Sequence, residues 1–139
     1  MSLLPRKGLL AIAAVVDVAL QRDGRPISAK TLATRHGLPP RHLESVLQSL
    51  VRDGILKGIR GPRGGYELAR DARQITADDI LRAVGTVDEA EEAPLAKSAL
   101  LSQVVMPALS QAETAFSAAL NHINVKDLVG TAEMIKKPD

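Results

Sequence analysis

Between Ile55 and Arg70 the helical pattern that dominates this chain stops. Two short runs, Ile55-Leu56-Lys57-Gly58-Ile59-Arg60 and Tyr66-Glu67-Leu68-Ala69-Arg70, flank the tract Gly61-Pro62-Arg63-Gly64-Gly65. Proline and three glycines in five residues cannot continue a helix, and short β-prone runs on either side of such a tract read as a β-hairpin. A single hairpin cannot bury a core by itself, so it has to lean on the helices around it.

The helices are marked by their ends. Apolar positions Leu9, Ile12, Ala13, Val16, Ala19 and Leu20 recur at helical spacing, which predicts a first helix from about Pro5 to Gln21, stopped by the turn Arg22-Asp23-Gly24-Arg25-Pro26. Ser28 is placed to cap a second helix, Ala29 to His36, and Gly37 to end it. After the tight connection Leu38-Pro39-Pro40, a third helix runs from about Pro40 to Asp53. Its apolar face is Leu43, Val46, Leu47 and Leu50, so Arg41, His42, Glu44, Ser45 and Gln48 point outward. Beyond the hairpin, Thr76 and Asp79 form the start of a fourth helix, Ala77 to Val84. Residues 85–94 are acidic and read as a connection. Residues 95–120 read as one long helix, or as two joined at Pro107, and Asn124 caps a last short helix toward Val129 and Gly130.

Composition narrows the chemistry. Tyr66 and Phe116 are the only aromatic residues, so the core is built from Leu, Val, Ile and Ala, as in helical proteins. There is no cysteine, which removes disulfides, thiolate catalysis and any zinc or iron-sulfur centre held by this chain's own thiolates. Residues 1–74 carry 13 Lys/Arg against 6 Asp/Glu, a net of +7, whereas residues 75–139 carry 5 against 10, a net of −5. The first half therefore offers a face for a polyanion, although solvated basic loops give the same count. Arg6 and Lys7 before the apolar run Gly8–Val16 resemble a secretion signal, but Asp17 and the helical spacing favour a buried amphipathic helix, and the run is too short to span a membrane. A cytoplasmic location, no cofactor and no membrane partner are expected. No nucleophile-base pair is evident, and Gly61–Gly65 lacks the Lys-Ser/Thr of a phosphate-binding loop, so an enzyme is not expected.

The order of elements is that of a winged helix-turn-helix: mainly α with a small β-hairpin wing, followed by a long C-terminal helix. An exposed helix fits the major groove, where Arg, His, Gln and Glu side chains meet base edges or phosphates. Arginines on a glycine-rich wing suit the negative potential of a minor groove. The expected interface is Ser28, Arg41, His42, Glu44, Ser45, Gln48, Arg60, Gly61, Arg63 and Gly64. Helix-turn-helix patterns also occur in protein-protein modules, and a winged-helix module without DNA binding is the competing reading.

The stretches Ala11–Ala19, Leu43–Leu50, Gly54–Leu56, Arg60–Ala69 and Ile75–Val84 resemble the BadM/Rrf-two family of bacterial transcription regulators. The wing ending in Gly64-Gly65-Tyr66 is the most specific part, and Arg63 stands where that family usually has glycine. The resemblance implies that Glu44 contacts a base, by way of a cytosine amino group, and that Arg60 enters the minor groove. It implies a homodimer joined through the long fifth helix; such a dimer makes a palindromic operator in double-stranded DNA the geometric expectation, and a repressor is expected, with activation left open. The alanines 99, 108, 112, 115 and 119 beside Leu101, Val105, Leu109 and Phe116 are compatible with that seam and equally with an intramolecular core helix. Many members of the family carry three cysteines after the fourth helix, where residues 86–102 here have none, so a cluster sensor is excluded. Asp88, Glu89, Glu91 and Glu92 read as a solvated acidic linker rather than a hard-metal site, and His36, His42 and His122 lack metal-ligand spacing. The expected organisation is a DNA-binding domain over 1–85, a linker over 86–94, and dimerisation helices with a tail over 95–139. The effector stays unnamed.

Overall fold

The computed structural model describes residues 4–21, 24–37, 39–85 and 98–135. The expected acidic linker, the Asp88–Glu92 carboxylates, Leu38 of the second connection and the Arg22-Asp23 part of the first turn lie outside them.

Six α-helices and one hairpin make up the described fold: α1 (Arg6–Ala19), α2 (Ala29–His36), α3 (Pro40–Arg52), β1 (Leu56–Ile59), β2 (Gly65–Leu68), α4 (Ala77–Val84), α5 (Met106–Leu120) and α6 (Val125–Ile135). The mainly helical architecture with one small antiparallel hairpin is the one read from the sequence. Helix α2 has the expected ends. Ser28 Oγ accepts the Thr31 N–H at 3.1 Å, and Gly37 stops the helix in the left-handed conformation with φ 62°. At α4 the Thr76 hydroxyl accepts from the Asp79 amide and the Asp79 carboxylate accepts from the Thr76 amide, both at 3.1 Å, which completes a capping box.

The core is built around one main apolar cluster. Ala11, Ala14 and Val15 of α1, Leu32 of α2, Leu43, Leu47 and Leu50 of α3, and Ile80 of α4 are all buried, with Ile55 and Ile75 from the connections. Each large aliphatic side chain so buried contributes about 1.5–3 kcal/mol before entropy is counted. The stripe Leu43, Val46, Leu47 and Leu50 recurs every three to four residues, so burying it turns the opposite face of α3 to solvent.

The hairpin pairs Leu56 with Leu68, Lys57 with Glu67, Gly58 with Tyr66 and Ile59 with Gly65. A third segment, not expected from the sequence, joins it: Ile27 and Tyr66 exchange both backbone hydrogen bonds, at 3.0 and 2.8 Å. The wing is thereby tied to the residues that lead into α2. A short 3-10 turn, Ala72–Gln74, follows β2. It is capped by Asp71, whose carboxyl is held down to about 2 by hydrogen bonds from the Arg73 guanidinium and backbone amide.

At the C-terminal end one alternative is decided and one expectation corrected. Of the two readings of the long helix, the single helix holds among the described residues: Pro107 does not split it. A π-helical turn, Leu101–Val105, runs directly into α5, and the Met106 amide donates to the Leu101 carbonyl five residues back. Pro107 has no N–H for the usual ladder, and the wider turn before it absorbs that defect without breaking the helix. Helix α6, expected to end near Gly130, continues to Ile135. Asn124 does cap it, accepting the Asp127 amide at 2.9 Å. Val125, buried in the main core, and Val129, packed against it, anchor the turns before Gly130, and a single helical glycine costs only roughly 1 kcal/mol, which need not end the helix. Beside the main cluster, Leu120 packs with Ala77 and Leu81 of α4.

Candidate nucleic-acid interface

Three elements carry the residues singled out in the sequence. On α3, Arg41, His42, Glu44, Ser45 and Gln48 are all exposed, opposite the buried leucine stripe. The Ser45 hydroxyl donates to the His42 carbonyl at 3.2 Å, so it keeps its lone pairs for an outside donor while its proton serves its own helix. Arg41, His42, Glu44 and Gln48 have no side-chain hydrogen bond or ion pair among the described residues, a set of polar groups that the fold does not consume.

The wing tip is equally open. Arg60, Gly61, Pro62 and Arg63 are exposed, and neither arginine is held in an ion pair among the described residues. Lys57, two register steps in from the Ile59–Gly65 pair, differs: it is paired with Glu67 across the strands at 3.2 Å. The glycines answer to geometry. A Cβ on Gly64 would strike the Ile59 carbonyl oxygen, and one on Gly65 would strike the Ile27 carbonyl oxygen, so only glycine lets the turn close and the wing approach the α2 leader.

Ser28 joins the wing rather than α3. A groove of about 750 Å³ between α2 and the wing turn is lined by Arg25, Ser28, Thr31, Arg35, Arg63 and Gly64 among others. The structure thus brings Ser28, Arg63 and Gly64 together and adds Arg25, Thr31 and Arg35, which the sequence reading did not single out. It also adds Asp17. This buried residue on α1 accepts Arg35 Nη1 at 2.6 Å through one carboxylate oxygen and faces His36 Nε2 at 3.1 Å through the other. The last turn of α2 is thereby fastened to α1. The available signal was an acid inside an apolar helix face, which by itself marks only an interruption of an apolar run.

The Rrf2 family profile, described as an iron-dependent transcriptional regulator, matches residues 4–131. The chain belongs to the Rrf2 family. Over 144 residues it is 31% identical to the HTH-type transcriptional regulator IscR of Cronobacter sakazakii, covering 98% of this chain and 85% of that one. A protein of Haemophilus influenzae named as an HTH-type transcriptional regulator is 40% identical over 81 residues. That match covers 58% of this chain and 54%, about half, of the Haemophilus protein. Among solved structures, that of T. potens IscR superposes with a TM-score of 0.75 at 28% identity, covering 97% of this chain and 91% of the other. CymR of B. subtilis shares the fold, with a TM-score of 0.71 at 24% identity over 94% and 98% of the two chains. The curated relatives are transcriptional regulators and not enzymes, and this Rrf2 chain is a member of the same family of winged-helix transcription regulators. Among the described residues no helix is long and apolar enough to cross a membrane.

The iron in the family description does not fit this Rrf2 member as a thiolate-held centre. The whole sequence contains no cysteine, and the described residues hold no group of three or more His, Asp or Glu side chains that could grip a metal.

Proposed function

We propose that this chain is a sequence-specific regulator, acting as a repressor and as a homodimer on a palindromic operator in double-stranded DNA. The observation that carries the reading is the unpaired polar face of α3, Arg41, His42, Glu44 and Gln48, opposite a fully buried leucine stripe. On this reading α3 lies in the major groove, with Glu44 accepting from a cytosine amino group and Gln48 within reach of the next base. Arg60 and Arg63 enter the neighbouring minor groove, and Gly61 and Gly64 let the wing backbone approach a phosphate. Ser28 and the α2 leader bind the backbone, which sets position and leaves base choice to α3.

The dimer reading rests on α5. Leu109 and Met106 of α5 are 63% and 49% exposed, and Val104 of the π-helical turn before it 56%, and an apolar face of this kind marks an interaction site. A two-fold axis between the α5 helices repeats the reading head along one face of the duplex, whence the palindrome. Functionally the chain divides into a DNA-binding part over 1–85, a linker over 86–94 and a dimerisation part over 95–139, and its place of action is the cytoplasm.

The test is in-vitro selection of bound duplexes from a random pool, followed by titration of the recovered sequence. The reading expects an inverted repeat and a specific affinity about a thousandfold or more above that for scrambled DNA. Recovery of no preferred sequence, with no salt-dependent affinity for any duplex, would favour a winged-helix module that docks protein instead.

A further inference from the structure

We propose that the Ser117 hydroxyl, held between Asp78 and Arg82, sets the angle at which α5 leaves α4 and thereby the half-site spacing that the dimer accepts. The Asp78 carboxylate is buried at the joint between the two helices. One of its oxygens accepts the Ser117 hydroxyl at 2.7 Å, and the other accepts Arg82 Nε at 2.7 Å. Arg82 Nη2 donates in turn to Ser117 Oγ at 3.2 Å, so the three side chains close a ring in which the hydroxyl both gives and takes a hydrogen bond. Apolar packing is non-directional and tolerates a change of crossing angle. Charge-assisted hydrogen bonds hold one geometry, and a buried carboxylate that adds little net stability is well suited to that use.

The ring lies where it has leverage. Residues 102–116 are all exposed, so within one chain α5 stands away from the core up to its last turn. Past Ser117 the chain is pinned. Leu120 packs with Ala77 and Leu81, the Thr76 hydroxyl donates to Asn121 Oδ1 at 3.1 Å, and the Ala77 amide donates to the Ile123 carbonyl at 2.8 Å. These contacts make a pivot, and Ser117 lies one turn up the helix from Asn121, where a hydrogen bond resists tilt about that pivot. From Ser117 to Val104, on the exposed apolar face, is about 20 Å at a rise of 1.5 Å per residue. A tilt of about 10° at the ring therefore carries that face about 3.5 Å, the length of one base-pair step.

The step from angle to spacing rests on the dimer and DNA readings given above. With the seam on α5 and a reading helix α3 in each subunit, the angle at the α4–α5 joint sets the distance between the two α3 helices, and that distance selects the spacing of the half-sites.

The angle is tested first without DNA. The chain has no cysteine, so Lys30→Cys and Ser102→Cys, both at exposed positions, carry two spin labels at those sites alone, and dilution with unlabelled protein confines the measured distance to one chain. Double electron-electron resonance should give one narrow distance distribution. Ser117→Ala leaves Asp78 paired with Arg82, so the fold is kept, and the distribution should broaden by about 3 Å or more, as the lever dictates. Ser117→Thr keeps the hydroxyl and should keep the distribution narrow. A distribution as narrow in folded Ser117→Ala as in the unmodified chain overturns the proposal, as does an equally broad one in all three proteins.

Spacing is then measured on inverted repeats of the selected half-site whose centres differ by one or two base pairs. The unmodified protein should prefer one spacing by about tenfold, and Ser117→Ala should reduce that preference to about twofold while affinity for a single half-site is unchanged. Equal losses on the single half-site and the full repeat mark a merely structural role and overturn the proposal. A broadened distribution with an unchanged spacing preference overturns the step from angle to spacing. Absence of DNA binding under all conditions overturns the DNA reading and the spacing claim with it, and the angle then stands or falls by the distances alone.

Discussion

Tyr66 in β2 and Ile27 ahead of α2 exchange both of their backbone hydrogen bonds, at 3.0 and 2.8 Å, across the point where Gly65 leaves no room for a side chain. This pairing ties the wing to the residues that lead into α2 of the helix-turn-helix. Gly65→Ala should separate them, because Gly65 adopts φ 153° and a Cβ would overlap the Ile27 carbonyl. The expected loss is about 1–3 kcal/mol of stability in urea denaturation, with a larger proportional loss of DNA binding. Unchanged stability would mean that the Ile27–Tyr66 bridge is dispensable.

Much of this arrangement was legible in the sequence, and the boundary of legibility is physical. Ser28, Gly37, Thr76 and Asp79 act on amides within a few residues, so the ends of α2 and α4 could be read directly. The Asp17 contact with Arg35 spans 18 residues and the Ile27–Tyr66 bridge spans 39, and neither is encoded in local periodicity. Helix α6 outran its apparent stop at Gly130 because a glycine only weakens a helix, by roughly 1 kcal/mol, and need not end it. The polar face of α3 was readable because its leucine stripe was. The groove residues Arg25, Thr31 and Arg35 were not, since they converge only once the wing has docked.

Gly130 gives a direct check on that account of α6. It lies inside the helix, exposed, and a methyl group at its Cα would meet no other atom within 4 Å. Gly130→Ala should therefore raise stability by about 0.4–1 kcal/mol in urea melts. A loss of stability would indicate that the helix does not pass through this residue as described.

The absence of cysteine sets a spectroscopic expectation. Protein purified without oxygen from iron-replete cells should be colourless, and its DNA affinity should be the same before and after nitric oxide. Visible charge-transfer absorption, or binding abolished on exposure to nitric oxide, would contradict a sensor that works without thiolate-held iron.

Assembly is open to a similarly simple measurement. Leu109 is 63% exposed on α5 and belongs to the seam on the dimer reading. The unmodified chain should scatter light as a dimer at micromolar concentration. Leu109→Glu should weaken the dimer by about tenfold or more, since an unpaired charge would be buried. A monomer for the unmodified chain, or a dimer indifferent to Leu109→Glu, would move the interface elsewhere.

The central claim is that α3 reads base sequence while the wing holds the backbone, and one comparison separates the two. Unmodified protein, Glu44→Ala and Arg63→Ala are each titrated against the selected operator and a scrambled duplex at several salt concentrations. Arg63→Ala should weaken binding to both duplexes and lower the salt slope by about 1 for each phosphate that is no longer neutralised. Glu44→Ala should leave scrambled binding intact or slightly stronger, because a negative charge is gone, and relax the preference at one operator position per half-site by roughly 1–3 kcal/mol. If Glu44→Ala weakens both duplexes equally, α3 is not the reading helix.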